Sequence, residues 1–161
     1  MPRKTIKYVN NAAKKAVQKL PLDVAADFLN DLNFVAAGKD PRSSFKSLPE
    51  WGAGVVELIE NGSPAYRVVY CAKYLDTVYI LHAFTKTTNG VDRAAKETVM
   101  IRYKEMMSLV REAEKAAKKR SDKNWRQSGS LDLDFAYDLV ITRHGRPQPV
   151  SQLRQISDQP V

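Results

Sequence analysis

The sequence predicts an α+β fold: a small antiparallel sheet with two N-terminal helices packed on it and a long C-terminal helix. Three observations carry this. Apolar residues recur at helical spacing before residue 38, strand-like runs fill 55–86, and helical spacing returns after residue 92.

Each element follows in order. "KTIKYV" reads as a short first strand, and "NNAAKKAVQKL" as a helical turn or two ending at Pro21. "PLDVAADFLNDLNFVAAG" is a stronger helix, with Pro21 in its first turn and Gly38 as its stop. Val24, Phe28, Leu32 and Val35 form its apolar face. "KDPRSSFKSLPEWGAG", rich in proline, glycine and serine, reads as a loop. Strands follow at about Val55–Glu60, Ala65–Ala72 and Thr77–Thr85, broken by "NGSP" and "KYLD". A helix is expected from about Asp92 to Lys119, on the spacing of Ala95, Val99, Met106, Val110 and Ala113. "RSDKNWRQSGS" reads as a linker and "LDLDFAYDL" as one strand, while the last residues carry little patterning. The expected division is a folded domain over 1–120 and an extension over 121–161, partly disordered.

Composition narrows the function. No apolar run approaches the ~20 residues needed to span a bilayer, and "MPRKTIKYVNNAAKK" lacks the apolar centre of a signal peptide, so a cytoplasmic protein without a membrane partner is expected. The lone cysteine, Cys71, lies in a strand-like run and reads as a small core residue. The net charge of +8 is unevenly distributed: residues 1–20 hold six bases and no acid, and residues 91–126 hold eleven bases and six acids. Residues 21–90 hold six bases and eight acids, a slight acidic excess. Such basic flanks suit a polyanion, since each phosphate contact releases counterions, or they serve as a solvated, solubilising surface.

The hairpin "YRVVYCAKYLDTVYILHAFTKT" holds three polar side chains that strand formation does not need: Arg67, His82 and Lys86. Strict alternation puts Val78, Ile80, His82, Phe84 and Lys86 on one face of the second strand, and Tyr79, Leu81 and Ala83 on the other. A two-residue turn at Leu75–Asp76 sets Arg67 opposite Phe84, and a four-residue loop sets it opposite His82. Either way Arg67, His82 and Lys86 share a face; an odd loop or a bulge would break the alternation. His82 and Lys86 lie about 13 Å apart along the strand, a spacing suited to an extended polyanion. Each also has a packing role open to it: Arg67 as partner of Glu57 on the neighbouring strand, His82 as a hydrogen-bonded core histidine, Lys86 as a solvated strand end.

The sequence holds two histidines, His82 and His144, and no clustered His/Asp/Glu pattern, so neither a metal nor a cofactor is implied. Neither a glycine-rich phosphate loop nor a serine nucleophile motif occurs. Cation-rich chemistry remains, and RNA cleavage is the clearest case. The ribose 2′-OH is the nucleophile, cations offset the charge built up at phosphorus, and two protons must be moved.

These residues carry a resemblance. "LPEWGAGVVELIENGSPAYRVVYCAKYLDTVYILHAFTKTT" followed by "IRYKEM", within about residues 5–107, resembles the RelE/HigB superfamily of toxin–antitoxin toxins, above all its phage-derived subgroup. The resemblance implies a RelE-like fold and metal-free endonucleolytic cleavage of mRNA, usually on the ribosome, leaving 2′,3′-cyclic phosphate ends. It also implies neutralisation by a cognate antitoxin, expected to be a helix-turn-helix protein. On the matching positions, Arg67 and Lys86 become catalytic cations, with His82 and Tyr103 as candidates for proton transfer or stacking. Arg102 and Phe84, with Lys4, Lys7, Lys14 and Lys15 of the basic N-terminus, become RNA contacts. Lys86–Thr87 stands where the subgroup carries two lysines.

Two other functions stay open. The related ParE group shares the fold and inhibits DNA gyrase, and a cleavage-dead phage protein would bind RNA or a host factor instead. Asp132, Asp134 and Asp138 alternate with apolar residues, as in a strand that covers a sheet edge or moderates a cationic site.

Overall fold

The computed structural model describes residues 2–129, 139–141 and 147–149. The elements run β1 (Thr5–Tyr8), α1 (Asn11–Gln18), α2 (Leu22–Ala36), β2 (Ser44–Ser47), β3 (Val55–Glu60), β4 (Ala65–Cys71), β5 (Thr77–Lys86), α3 (Arg93–Gly129), β6 (Leu139–Ile141) and β7 (Pro147–Pro149). The chain forms two compact units, residues 1–112 and 113–161. In the second, β6 and β7 pair antiparallel.

The first unit is built on a five-stranded sheet of order β1-β5-β4-β3-β2. It is mixed rather than purely antiparallel, because β1 joins β5 in parallel, pairing Thr5 with Thr77 through Tyr8 with Ile80. α1 and α2 carry the chain from β1 at one sheet edge to β2 at the other. Asn10 caps α1, its Oδ1 accepting the Ala13 backbone N–H at 2.8 Å. α2 ends where glycine was expected to stop it. Gly38 sits at φ +80°, its N–H bonded to Val35 O at 3.0 Å and that of Lys39 to Phe34 O at 2.8 Å. That pair of bonds is a Schellman closure.

Both sheet faces are covered. On one, Val17, Val24, Phe28 and Leu32 from α1 and α2 pack on Leu58, Val68, Ile80 and Ala83. On the other, Val99, Met106 and Val110 of α3 pack on Val55, Val69, Tyr79 and Leu81. Each fully buried Val, Leu, Ile, Phe or Met side chain among them contributes ~1.5–3 kcal/mol by leaving water. Cys71 is fully buried in the second core, in keeping with a packing role.

Four expectations need correction. Ser44–Ser47, within the stretch read as loop, is a strand antiparallel to β3, pairing Lys46 with Glu57. All four of its side chains are exposed, so no apolar alternation marked it. "RSDKNWRQSGS" is no linker as far as Gly129; it continues α3. Ala113, placed on the core face of that helix, is exposed. Finally, strict alternation fails in β5: Tyr70 pairs with Ile80 but Val69 with His82, so Leu81 is an extra, bulged residue. Val78 and Ile80 therefore share a core with Ala83, while Tyr79 and Leu81 go with Phe84. The alternating segment 131–138 lies outside the described residues, and Leu139 begins β6.

The β4–β5 connection explains why the bulge does little harm to the hairpin argument. Tyr74 O accepts the Thr77 N–H at 3.1 Å around Leu75 and Asp76, both at positive φ, 55° and 47°. The pairing nearest this turn is offset by one residue, and the bulge at Leu81 removes the offset. Arg67 thus ends opposite Phe84, as a plain two-residue turn would give.

Tyr103 of α3 closes the turn end of the sheet. Its hydroxyl donates to Ala53 O at 3.0 Å and lies 3.4 Å from the Tyr74 hydroxyl. Its ring covers Gly52, where an added Cβ would lie 2.7 Å from Tyr103 Cδ2. Gly52→Ala is therefore expected to lower stability by about 1–3 kcal/mol through overpacking, read as a lower urea midpoint at unchanged slope. An unchanged midpoint would mean that the ring moves aside freely.

Candidate functional site

Two clefts open beside the outer part of β5, and Phe84 lines both. The first, of ≈ 330 Å³, lies over β2, β3 and the end of β5 and is lined by Lys46, Trp51, Glu57, Phe84, Lys86 and Asp92 among others. Its chemistry centres on Glu57. This carboxylate lies in a strand whose neighbours Val55 and Leu58 are fully buried, and is itself only 8% exposed. Burial raises its pKa, while Arg67, Lys86 and Lys46, in that order, pull it back down. Glu57 is thus a carboxylate at the meeting point of three cations.

Arg67 does not face solvent. It is 7% exposed, with Nε 3.6 Å from Glu57 Oε1. Its Nη1 donates to Glu60 O at 3.1 Å and Tyr66 O at 2.9 Å, and Nη2 to Asn61 Oδ1 at 3.4 Å. The guanidinium clasps the β3–β4 turn and backs the Glu57 carboxylate. Of the packing roles weighed from sequence, partnership with Glu57 describes its contacts. Lys86 is half-buried at the end of β5 and lines the first cleft.

The second cleft, of ≈ 390 Å³, lies between α1 and the outer part of β5. Lys15 and Lys19 line it from α1, His82, Phe84 and Thr85 from β5, and Arg102 from α3. Arg102 Nη1 donates to Leu81 O at 3.0 Å, the carbonyl of the bulged residue, and lies 2.9 Å from His82 Nδ1. Arginine can only donate, so Nδ1 accepts and the imidazole carries its proton on Nε2. Burial and the adjacent Arg102 charge push the His82 pKa down to about 4. The ring stacks on Phe84, centroids 5.4 Å apart and planes 21° from parallel.

A neutral His82 has a measurable consequence. Its folded pKa lies below the ordinary value of 6.5, so between those values the unfolded chain binds the proton and the folded chain does not. Stability therefore falls as pH drops from about 6.5 toward 4. The full shift is worth ~3 kcal/mol, and solvent screening of a partly exposed ring reduces that to about 1–2 kcal/mol. Unfolding free energies from urea titrations at pH 7 and pH 4.5 should differ by that much more in the wild type than in His82→Asn. Parallel losses in the two proteins would place a charged imidazole in the fold.

The remaining site candidates separate. Tyr103 belongs to the Gly52–Tyr74 end, its hydroxyl committed to Ala53 O and its pKa raised, chiefly by burial. Lys4 donates to Ala72 O at 2.5 Å, tying the chain before β1 to the end of β4. Lys7, Lys14 and Lys15 are exposed, and of these Lys15 alone lines a described cleft. The structure thus brings Arg67 and Lys86 together around Glu57, and His82 with Arg102 and Phe84, but leaves Tyr103 outside both groups. Sequence reasoning passed over Glu57 except as a packing partner, and over Lys46, Lys19 and Trp51. The signal for Glu57 was a charge inside the apolar strand "VVELIE"; Lys46 lay in the segment read as loop.

Among the described residues, no helix is long and apolar enough to cross a membrane. Comparison with curated proteins found no match. A family model described as Phage derived protein Gp49-like (DUF891) matches residues 15–104, a stretch that includes α2, β2 to β5, the first cleft and all of the second but Ala12. The match covers more than half of the 161 residues, and the chain belongs to this Gp49-like phage-derived family, which is RelE/toxin-like.

Proposed function

We propose that the protein is the toxin of a toxin–antitoxin pair, of the HigB-like kind, and an endoribonuclease that cleaves mRNA on the ribosome and so halts translation. Glu57, a carboxylate ringed by cations in an open cleft, is the observation that carries this reading. In the reaction, Glu57 accepts the proton of a ribose 2′-OH. The oxygen then bonds to the adjacent phosphorus, the bond to the 5′-oxygen breaks, and a 2′,3′-cyclic phosphate results. Lys86 and Lys46 offset the charge that grows on the phosphoryl oxygens, and the Lys86 ammonium returns a proton to the departing 5′-oxygen. Lys46 supplies the second cation that Thr87 does not. Phe84 offers a face to a base.

Arg67 acts through Glu57, as a positioning residue. His82, held neutral, has no proton to release as an acid near pH 7; its part is to present a flat ring and an Nε2–H donor. A RelE/toxin-like family supports an antitoxin partner, for which a helix-turn-helix protein encoded beside the toxin is the expected form.

Primer extension on mRNA from cells expressing the protein tests the reading. Breaks in phase with codons, absent when Lys86 is replaced by alanine, are expected. Intact message alongside blocked DNA supercoiling would replace this reading with a gyrase-inhibiting toxin.

A further inference from the structure

The geometry points to the groove between α1 and the outer part of β5 as a second nucleotide site, which binds the phosphodiester of single-stranded RNA and stacks its base on the His82–Phe84 pair. This rests on the ribonuclease reading for the identity of the strand, but on the groove's own chemistry for the class of ligand.

Three features carry it. Among the described residues the charged groups of the lining are all cations: Lys15 of α1, Lys19 at its C-cap, and Arg102 arriving from α3. The first cleft, by contrast, includes Glu50, Glu57 and Asp92. The carboxylate nearest in charge to Arg102 is Glu105, and Asn10 Nδ2 holds its Oε2 at 2.7 Å. Asp92 acts on His82 only as the smallest influence, behind burial and Arg102.

Second, Arg102 and His82 are oriented before any ligand arrives. Arg102 is oriented by Leu81 O and His82 Nδ1 through Nη1 alone, so Nη2 is available to a ligand. The same contact turns the His82 Nε2–H into a donor. β1 pairs with β5 only as far as Ile80, so β5 from His82 onward forms a sheet edge with outward backbone groups. Among the described residues no carboxylate lines this array of donors, and such an array selects an anion.

Third, the groove is not purely polar. Ala12, Ala16, Leu20 and Ala83 share it with the stacked rings. A free inorganic ion would leave that apolar area unused, whereas a nucleotide covers it with ribose and base. Stacking on aromatic side chains is the usual sequence-tolerant way to hold single strands, worth about 1–3 kcal/mol per base. Because Phe84 lines both clefts, one strand can occupy the first with its scissile phosphate and this groove with a neighbouring nucleotide.

Fluorescence anisotropy of a single-stranded 2′-O-methyl oligoribonucleotide, which binds but cannot be cleaved, tests this on the full chain. Lys15→Ala/Lys19→Ala should weaken binding about tenfold or more near 0.15 M salt and reduce the log–log salt slope by about 1.4, two contacts at ~0.7 each. Lys118→Ala/Lys119→Ala removes the same charge at two exposed positions that do not line the groove and should change affinity less than about threefold. All four lysines are exposed, so both variants should melt with the wild type. Equal losses in the two variants would reduce the effect to diffuse attraction and overturn the site. So would a groove variant that loses an acidic peptide but keeps the oligonucleotide, or a wild type that does not bind the oligonucleotide at all. Groove-dependent binding with message left intact in cells would sink the ribonuclease reading and leave the site standing.

Discussion

Replacing Arg67 with alanine is expected to cost about 3–5 kcal/mol of folding stability, the range for removing one partner of a buried ion pair. Two losses combine. Glu57 keeps its burial but loses its nearest counter-charge, and the Glu60, Tyr66 and Asn61 oxygens lose their donor. A loss of this size is a large part of the ~5–15 kcal/mol that holds a typical domain together. The urea midpoint should fall sharply while the slope stays put. The double replacement Arg67→Met/Glu57→Leu should recover most of the loss, because a buried pair exchanged whole for apolar side chains is often neutral or better. A single-variant cost below about 1 kcal/mol would show that water already reaches the pair.

This asymmetry bears on how activity data are read. Loss of cleavage in Arg67→Ala does not by itself make Arg67 a ligand of the phosphate, because the variant also releases the β3–β4 turn and Glu57. Arg67→Lys is more informative: it keeps a positive charge beside Glu57 but cannot reach three acceptors as a planar fork does. Partial recovery of stability with activity still depressed is what a positioning role predicts.

Much of this was legible in the sequence, for reasons specific to each element. Strands β3, β4 and β5 announced themselves because both sheet faces are buried, which demands nearly continuous apolar runs. α2 and the first turns of α3 were legible because each buries one stripe. β2 was not, since a four-residue edge strand with every side chain exposed has no pattern to read. Continuation of α3 past Lys119 was missed because Ser121, Asp122 and Asn124 look like linker residues, yet no glycine or proline interrupts the helix before Gly129. The parallel docking of β1 and the Leu81 bulge depend on contacts between distant segments, which local periodicity does not encode. The site followed the same division. Arg67, His82 and Lys86 stood out as cations or imidazole among apolar strand residues, whereas the grouping around Glu57 required knowing that Lys46 lies on a paired strand.

Glu57→Gln isolates the proposed chemistry from the fold. The amide keeps the size of the carboxyl and can still accept from Arg67, but it cannot take up a proton from a 2′-OH. Cleavage should fall by ~10²–10⁴-fold, the usual contribution of a positioned base. Stability should hardly follow. The folded carboxyl titrates above its ordinary 4.5, so between those values the folded chain binds the proton more tightly, and the contribution of this group to stability falls as pH rises through that window. Removing the ionisation at pH 7 therefore relieves a burial cost while weakening the attraction to Arg67. The guanidinium retains two carbonyls and an amide oxygen, so the net change should stay within about 1–2 kcal/mol. In the wild type, the acidic limb of the rate profile should rise with pH through the raised carboxyl pKa, since only the deprotonated form is a base; in Glu57→Gln that limb should vanish with the activity. Wild-type cleavage by a folded Glu57→Gln protein would remove the carboxylate from the reaction.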